Sequence, residues 1–279
     1  MNPSGMEVRP LATALGAEIR GVDVAEGGEA VRAALYRALL DHAVIAIRDQ
    51  AHLTPQQFLA FAESFGEVID YPFSANVEGI GKLTEILKRP EETQNFGSGW
   101  HMDMSFRERQ PLATILLARD MPPVGGDTMF ASLKYAWQTL SPRLREILGE
   151  LSAVHESWPP DTSLFKGMSF HDVEKPREVA EHPLAGRHPE TGEAFLWVSP
   201  YYAREVKGLA PEESAALLGF LNAHATRPEM TCRLRWEVGT IVIWDNRWTI
   251  HQALDDDFGA RIHGKGFSRL MHRAVVRQS

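Results

Sequence analysis

His101 and Asp103, in Trp100-His101-Met102-Asp103, stand far upstream of His251, in Trp244-Asp245-Asn246-Arg247-Trp248-Thr249-Ile250-His251. Two imidazoles and one carboxylate make the facial triad that holds ferrous iron with three coordination positions left open. On an extended segment, residues two apart share a face. His101 and Asp103 can then grip one ion while Met102 points away into packing. An isolated His-x-Asp occurs often by chance, and His251 alone would read as a core histidine at the end of a strand. The neighbouring motifs decide.

Four stretches occur in order: Gly99-Trp100-His101-Met102-Asp103-Met104-Ser105-Phe106, Gly125-Gly126-Asp127-Thr128, Trp244-Asp245-Asn246-Arg247 with His251, and Arg269-Leu270-Met271-His272-Arg273-Ala274. Together they resemble the taurine dioxygenase/TfdA family of iron(II)- and 2-oxoglutarate-dependent dioxygenases, from roughly Leu11 to Val276. The resemblance implies a mainly β fold with helical decoration, a double-stranded β-helix or jelly roll. It implies Fe(II) as cofactor and 2-oxoglutarate as co-substrate, with His101, Asp103 and His251 as catalytic metal ligands. Related halogenases lack this carboxylate and leave room for chloride, so Asp103 favours hydroxylation. Arg269 would pair with the distal carboxylate of 2-oxoglutarate, a planar anion suited to a guanidinium fork, and Thr128 would add a hydroxyl hydrogen bond. Outside this context, Arg269 and Arg273 would read equally well as exposed strand cations.

Arg273 bears on the substrate. The resemblance gives it a negatively charged substrate group, shared with the main-chain amide near Met104. Strand alternation puts Arg269, Met271 and Arg273 on one face, Met271 lining the site between the two arginines, with Leu270 and His272 on the other. The family pairs this arginine with a histidine after a Phe-Gly motif; here Asp70 or Tyr71 falls at that place, which argues against taurine itself. An aspartate would repel a sulfonate and attract an amine, whereas a tyrosine offers one hydroxyl donor. Phe96, Tyr202, Trp158 and Phe165 are candidates for the pocket wall, each equally readable as a core aromatic. The expected enzyme hydroxylates a small anionic molecule (sulfonate, sulfate ester, phenoxy acid or carboxylate) and releases succinate and carbon dioxide. The alternative is a tailoring oxygenase for an amino-acid-derived or natural-product intermediate. A silent cupin-like binding protein would predict a damaged triad, and a zinc hydrolase would not need Arg269.

The elements that must carry these residues are partly readable. Glu29 to Ala43 has a helical apolar face at Val31, Ala34, Leu35, Ala38 and Leu39, followed by the buried-strand run Val44 to Arg48. Thr54, Pro55 and Gln57 spell a capped helix start, and that helix should bury Phe58, Phe61 and Phe65 before Gly66. Helices are also expected over Ser132–Leu140, Pro142–Leu151 and Pro211–His224. Strands are expected at Leu112–Arg119, Phe195–Val198, Cys232–Trp236, Thr240–Trp244 and Phe267–Val276. Tyr71–Gly99 and Ser157–Pro183 read as irregular loops over the site, and Asp257–Lys265 as an enlarged loop at its rim. Asp255-Asp256-Asp257 reads as a solvated turn. His155, His171, His182, His188 and His224 lack ligand spacing and default to surface or loop positions.

A chain of 279 residues can form one domain, 1–279, with a substantial core. A net charge of −8 argues against broad attraction to nucleic acid or an anionic membrane, so an anionic substrate must be drawn by local cations. One cysteine, Cys232, excludes an intrachain disulfide. No signal peptide or spanning segment is evident, and a cytoplasmic protein is expected. The expected partners are the small-molecule substrate and dioxygen; a homo-oligomer is compatible with the sequence.

Overall fold

Three central strands read as almost unbroken apolar runs, β3 (Val44–Ile47), β15 (Ile241–Asp245) and β7 (Ala113–Asp120), because their sheet is covered on both faces. The computed structural model describes residues 5–70, 76–157 and 177–278. The main sheet runs β1 (Glu7–Pro10), β2 (Ala17–Arg20), β3, β15, β7, β17 (Arg269–Arg277), β6 (Ile80–Lys88), β5 (Asn76–Val77), with β4 (Glu67–Ile69) on the end of β17. A second sheet, β14 (Thr231–Leu234), β8 (Thr128–Ser132), β16 (Thr249–Ala253), faces it. Between the two pack Phe130, Leu234 and Ile250 from one side and Leu116, Val242 and Met271 from the other. On the outer face, Leu35 and Leu39 of α1 (Gly28–His42) and Phe58 and Phe61 of α2 (Pro55–Glu63) cover Ile45, Leu117, Ile243 and Val276. Alternation within each strand therefore feeds two cores.

The rest is decoration. A sheet of β10 (Val179–Pro183), β9 (Ser152–Glu156) and β13 (Ala203–Val206) and the hairpin β11 (Ala185–Arg187) with β12 (Ala194–Leu196) are joined by α3 (Leu133–Gln138), α4 (Pro142–Leu148) and α5 (Pro211–Ala225). The jelly roll with helical decoration expected from the motifs is the observed fold. Thr54 caps α2 with both bonds of a capping box, with Gln57 as its partner. Among the described residues no helix is long and apolar enough to cross a membrane.

Several expectations are corrected. The stretch 76–88 is not irregular: β6 is a nine-residue strand of the main sheet, paired with β17. Gly81, Lys82 and Glu85 break its apolar alternation, and only the partner strand settles it. His251 lies on β16, a short strand whose Thr and Gln hide it in the sequence. The run 157–183 ends in β10, while 158–176, with Trp158, Phe165 and His171, lies outside the described residues. The rim insertion holds a helix, α6 (Phe258–His263), capped by the Asp257 side chain. Asp255-Asp256-Asp257 is no solvated turn: each carboxylate accepts a backbone N–H, from Asn95, Gly126 and Phe267 respectively. His155, His182, His188 and His224 are buried rather than superficial.

Asp257 also braces the entry to β17. Its Oδ2 lies 2.8 Å from Lys88 Nζ, and both side chains are buried. Removing one partner of such a pair strands a buried charge, at a cost of about 3–5 kcal/mol. Asp257→Ala should therefore lower the urea midpoint far more than Thr54→Ala, whose lost cap costs about 1 kcal/mol. Equal midpoints for the two variants would show that the pair does not brace the strand.

Candidate active site

His101 and His251 face each other through a lone antiparallel bridge, in which each backbone N–H donates to the other's carbonyl at 2.9 Å. Register on β16 sets His251 opposite Phe130 of β8, so the imidazole projects from a packed strand. The segment after His101 does not stay extended. It turns through Met104, whose φ is 53°, with the N–H groups of Ser105 and Arg107 donating back to the carbonyls of Met102 and Met104. Asp103 reaches the histidines through this turn and not through strand alternation. Met102 does point away, fully buried in the core between the sheets.

The three side chains offer ligand atoms that all lie within 4.8 Å of one another, and all three are buried. His101 Nδ1 lies 2.7 Å from the Gly99 carbonyl, which can only accept. Nδ1 therefore carries the proton and Nε2 the lone pair, 3.6 Å from Asp103 Oδ1. Burial opposes the charge on Asp103, but Arg273, His251 and His101 together hold its carboxyl well below the usual range. Burial, reinforced by His101 and opposed by Asp103, keeps His251 well below the ordinary imidazole value. One anion and a neutral imidazole are the protonation states that metal ligands need. Two nitrogen donors, one carboxylate and a buried His251 Nδ1 without a partner suit a metal that keeps open positions.

The triad opens on a cavity with Ile86, Leu116 and Trp244 on its apolar walls and Thr128, Arg269 and Arg273 among its polar ones. Arg269 is 3% exposed, and its Nε has no hydrogen-bond partner. Burial lowers its pKa to about 10 against the pull of Asp256 and Asp127, so it remains a cation at neutral pH. Those two acids are held by Arg233, at 3.1 and 2.6 Å. Trp236 Nε1 donates to Thr128 Oγ1 at 2.9 Å, which leaves the threonine hydroxyl to donate elsewhere. Gly126, at φ +70°, lets the turn before Thr128 pass Arg269: a Cβ there would sit 3.3 Å from the arginine Cδ.

Arg273 lies on the same strand face as Arg269 and Met271, as alternation requires. Met271 is packed into the core, and Ile86 and Leu116 line the cavity instead. Arg273 Nη2 is 3.0 Å from Asp103 Oδ2, so this cation stands against the carboxylate of the triad as well as on the cavity wall. Met104 belongs to a small buried cluster with Phe106 and Val275, against which Phe96, Tyr202 and Ile69 pack. Phe96 reaches the cavity; Tyr202 sits edge-on to Phe106 and His101 but is not on its wall. Asp70 is exposed at the end of β4, away from the cavity lining, and Tyr71 lies outside the described residues.

Sequence reading missed Thr114, which donates to Asp103 Oδ2 at 2.7 Å and looks like any other position of an apolar strand. It also missed Trp236, whose only signal was a strand pattern. The Asp-Asn-Arg run is structural as well as a family marker. Arg247 grips Asp245 with two nitrogens, and His188 Nε2 lies 3.0 Å from Asp245 Oδ2.

The chain is similar to known proteins. The family model described as "Taurine catabolism dioxygenase TauD, TfdA family" matches residues 7–275. An alpha-ketoglutarate-dependent sulfate ester dioxygenase of Pseudomonas putida is 36% identical over 259 residues, covering 90% of this chain and 85% of that protein. An alkylsulfatase of Acinetobacter baylyi is 31% identical over 259 residues, covering 90% and 80%. The crystal structure of a taurine dioxygenase from Burkholderia xenovorans superposes with a TM-score of 0.83 at 36% identity, covering 99% of this chain and 90% of that one.

Two buried histidines buttress the turn that follows Asp103. His182 Nε2 donates to the Ser105 carbonyl at 2.8 Å, and His155 Nδ1 shares a 3.0 Å hydrogen bond with Ser105 Oγ. Burial, with His182 and Arg204 nearby, lowers the His155 pKa to about 3. Between the unfolded value near 6.5 and about 3, only the unfolded chain binds that proton, so stability falls as pH falls. The slope is about 1.4 kcal/mol per pH unit for one such group. Urea midpoints from pH 6.5 to 4 should drop more steeply for the native protein than for His155→Gln; parallel curves would show that His155 titrates normally.

Proposed function

The chain belongs to the taurine catabolism dioxygenase TauD, TfdA family, and from that premise we propose that it uses Fe(II) and 2-oxoglutarate to hydroxylate a small organic anion, with a sulfate ester as the leading class. His101, Asp103 and His251 would hold the iron. Arg269 and Thr128 would bind the distal carboxylate of 2-oxoglutarate. The observation that carries this reading is Arg269: a buried cation with an unpartnered Nε, beside a threonine hydroxyl left to donate, on the cavity onto which the triad opens. A guanidinium in so dry a place is satisfied by a carboxylate.

Iron held there would supply the redox chemistry by which dioxygen oxidises both 2-oxoglutarate, to succinate and carbon dioxide, and a C–H bond of the substrate. The protein's own residues bind, orient and exclude water. Arg269 and Thr128 fix one end of the co-substrate, so that its 2-oxo acid end reaches the triad. Ile86, Leu116 and Trp244 keep the cavity apolar. Arg273, beside Asp103, is placed to hold an anionic substrate group, and Phe96, which reaches the cavity, suits an apolar remainder. Hydroxylation at the carbon next to a sulfate-ester oxygen gives an unstable hemiacetal-like product. It collapses to an aldehyde and hydrogen sulfate. Both relatives described above that act on such compounds support this class. Asp70 was the residue that would have favoured an amine, and its exposed position away from the cavity lining weakens that alternative.

Succinate formation from 2-oxoglutarate should be stimulated by alkyl sulfates more than by sulfonates, phenoxy acids or amino acids. Asp103→Ala should abolish it. Arg269→Ala should raise the KM for 2-oxoglutarate, since losing a buried charge-assisted pair costs on the order of 2–5 kcal/mol; an unchanged KM refutes the assignment. At saturating Fe(II), Arg273→Ala should raise the KM for the anionic substrate. Turnover of a neutral substrate untouched by that change would count against an anionic one.

A further inference from the structure

The two oxygens of Asp103 have different surroundings. Oδ1 lies 3.6 Å from His101 Nε2, whereas Oδ2 takes a 2.7 Å hydrogen bond from Thr114 Oγ1 and lies 3.0 Å from Arg273 Nη2. Thr114 is fully buried on β7, and its Oγ1 also accepts from Asn246 Nδ2 at 2.9 Å. An ionised carboxylate can only accept and an amide N–H can only donate. The single hydroxyl proton of Thr114 is therefore committed to Asp103, and a lone pair to Asn246. Asn246 is itself anchored, its backbone N–H donating to the Leu112 carbonyl at 3.0 Å, where β15 pairs with β7.

We propose that Thr114 and Asn246 are positioning residues for the metal, a two-step relay that occupies Oδ2 and presents Asp103 through Oδ1 alone. This rests on the reading of Asp103 as a ligand. Neither residue lines the cavity, so both act only through the carboxylate. A one-oxygen grip keeps vacant the position that a second carboxylate oxygen would fill. Co-substrate and dioxygen together need three such positions.

The test is cobalt(II) binding to the apoprotein, followed by calorimetry and by the visible spectrum, with thermal melts to confirm folding. Thr114→Val should bind cobalt(II) about 10–100-fold more weakly, the usual effect of losing a partner behind a ligand, with shifted visible bands. Thr114→Ser, which keeps the hydroxyl, should restore affinity and spectrum. Asn246→Ala should move both in the same direction by a smaller amount. Wild-type affinity and spectrum in Thr114→Val overturn the proposal. Should that variant fail to fold, the same result in Asn246→Ala overturns it. An unaltered protein that binds no cobalt(II) would refute the triad itself, a different failure.

Discussion

A carboxylate stripped of water and kept ionised is the constraint on which the rest of this site depends. Taking such a charge out of water costs several kcal/mol unless partners replace the lost hydration. Asp103 is buried at the centre of the jelly roll, and the protein meets it with Arg273, Thr114 and two imidazoles drawn from four different segments. β7, β17 and β16 each supply one of these partners, and Met104, next in the chain, adopts a backbone conformation rare for its type. The carboxylate organises its neighbours as much as they place it.

Charge in this protein is local. A chain with a net charge of −8 nevertheless buries two arginines on one strand, four residues apart. Arg273 is balanced by Asp103. Arg269 has acids in its field, Asp127 and Asp256, but Arg233 already engages both. The overall acidity belongs to the chain as a whole, while this strand face sets two cations on the cavity wall.

The site was legible in the sequence as residue types, and the fold as a class, because the motifs are local runs with fixed order. Their geometry was less so. His-x-Asp suggested two side chains on one strand face, yet a turn after His101 performs the placement. β6 was unreadable because an edge-side strand with Gly81, Lys82 and Glu85 has its apolar pattern completed only by β17. The four buried histidines read as surface residues because a lone imidazole carries no sign of its partner. His155 and His182 are buried by their bonds to Ser105, and His188 by Asp245. Thr114 was invisible for the opposite reason: a threonine in an apolar strand is ordinary until its hydroxyl is seen beside a carboxylate. Boundaries set by caps, such as Thr54 with Gln57, were read well since every atom involved lies within three residues.

The strand that bears both arginines, β17, fills the gap between β7 and β6 in the main sheet, although β6 and β7 follow one another along the chain. During synthesis those two strands leave the ribosome with unpaired edges facing a space that nothing yet occupies. At cellular elongation rates the roughly 150 residues separating β7 from β17 take on the order of 10–30 s to appear. Until β17 is made, the edges of β6 and β7 that it joins lack their partner. When β17 pairs with both, it completes the hydrogen-bond ladder and brings Arg269 and Arg273 in together, so closing the sheet and charging the cavity wall are one event.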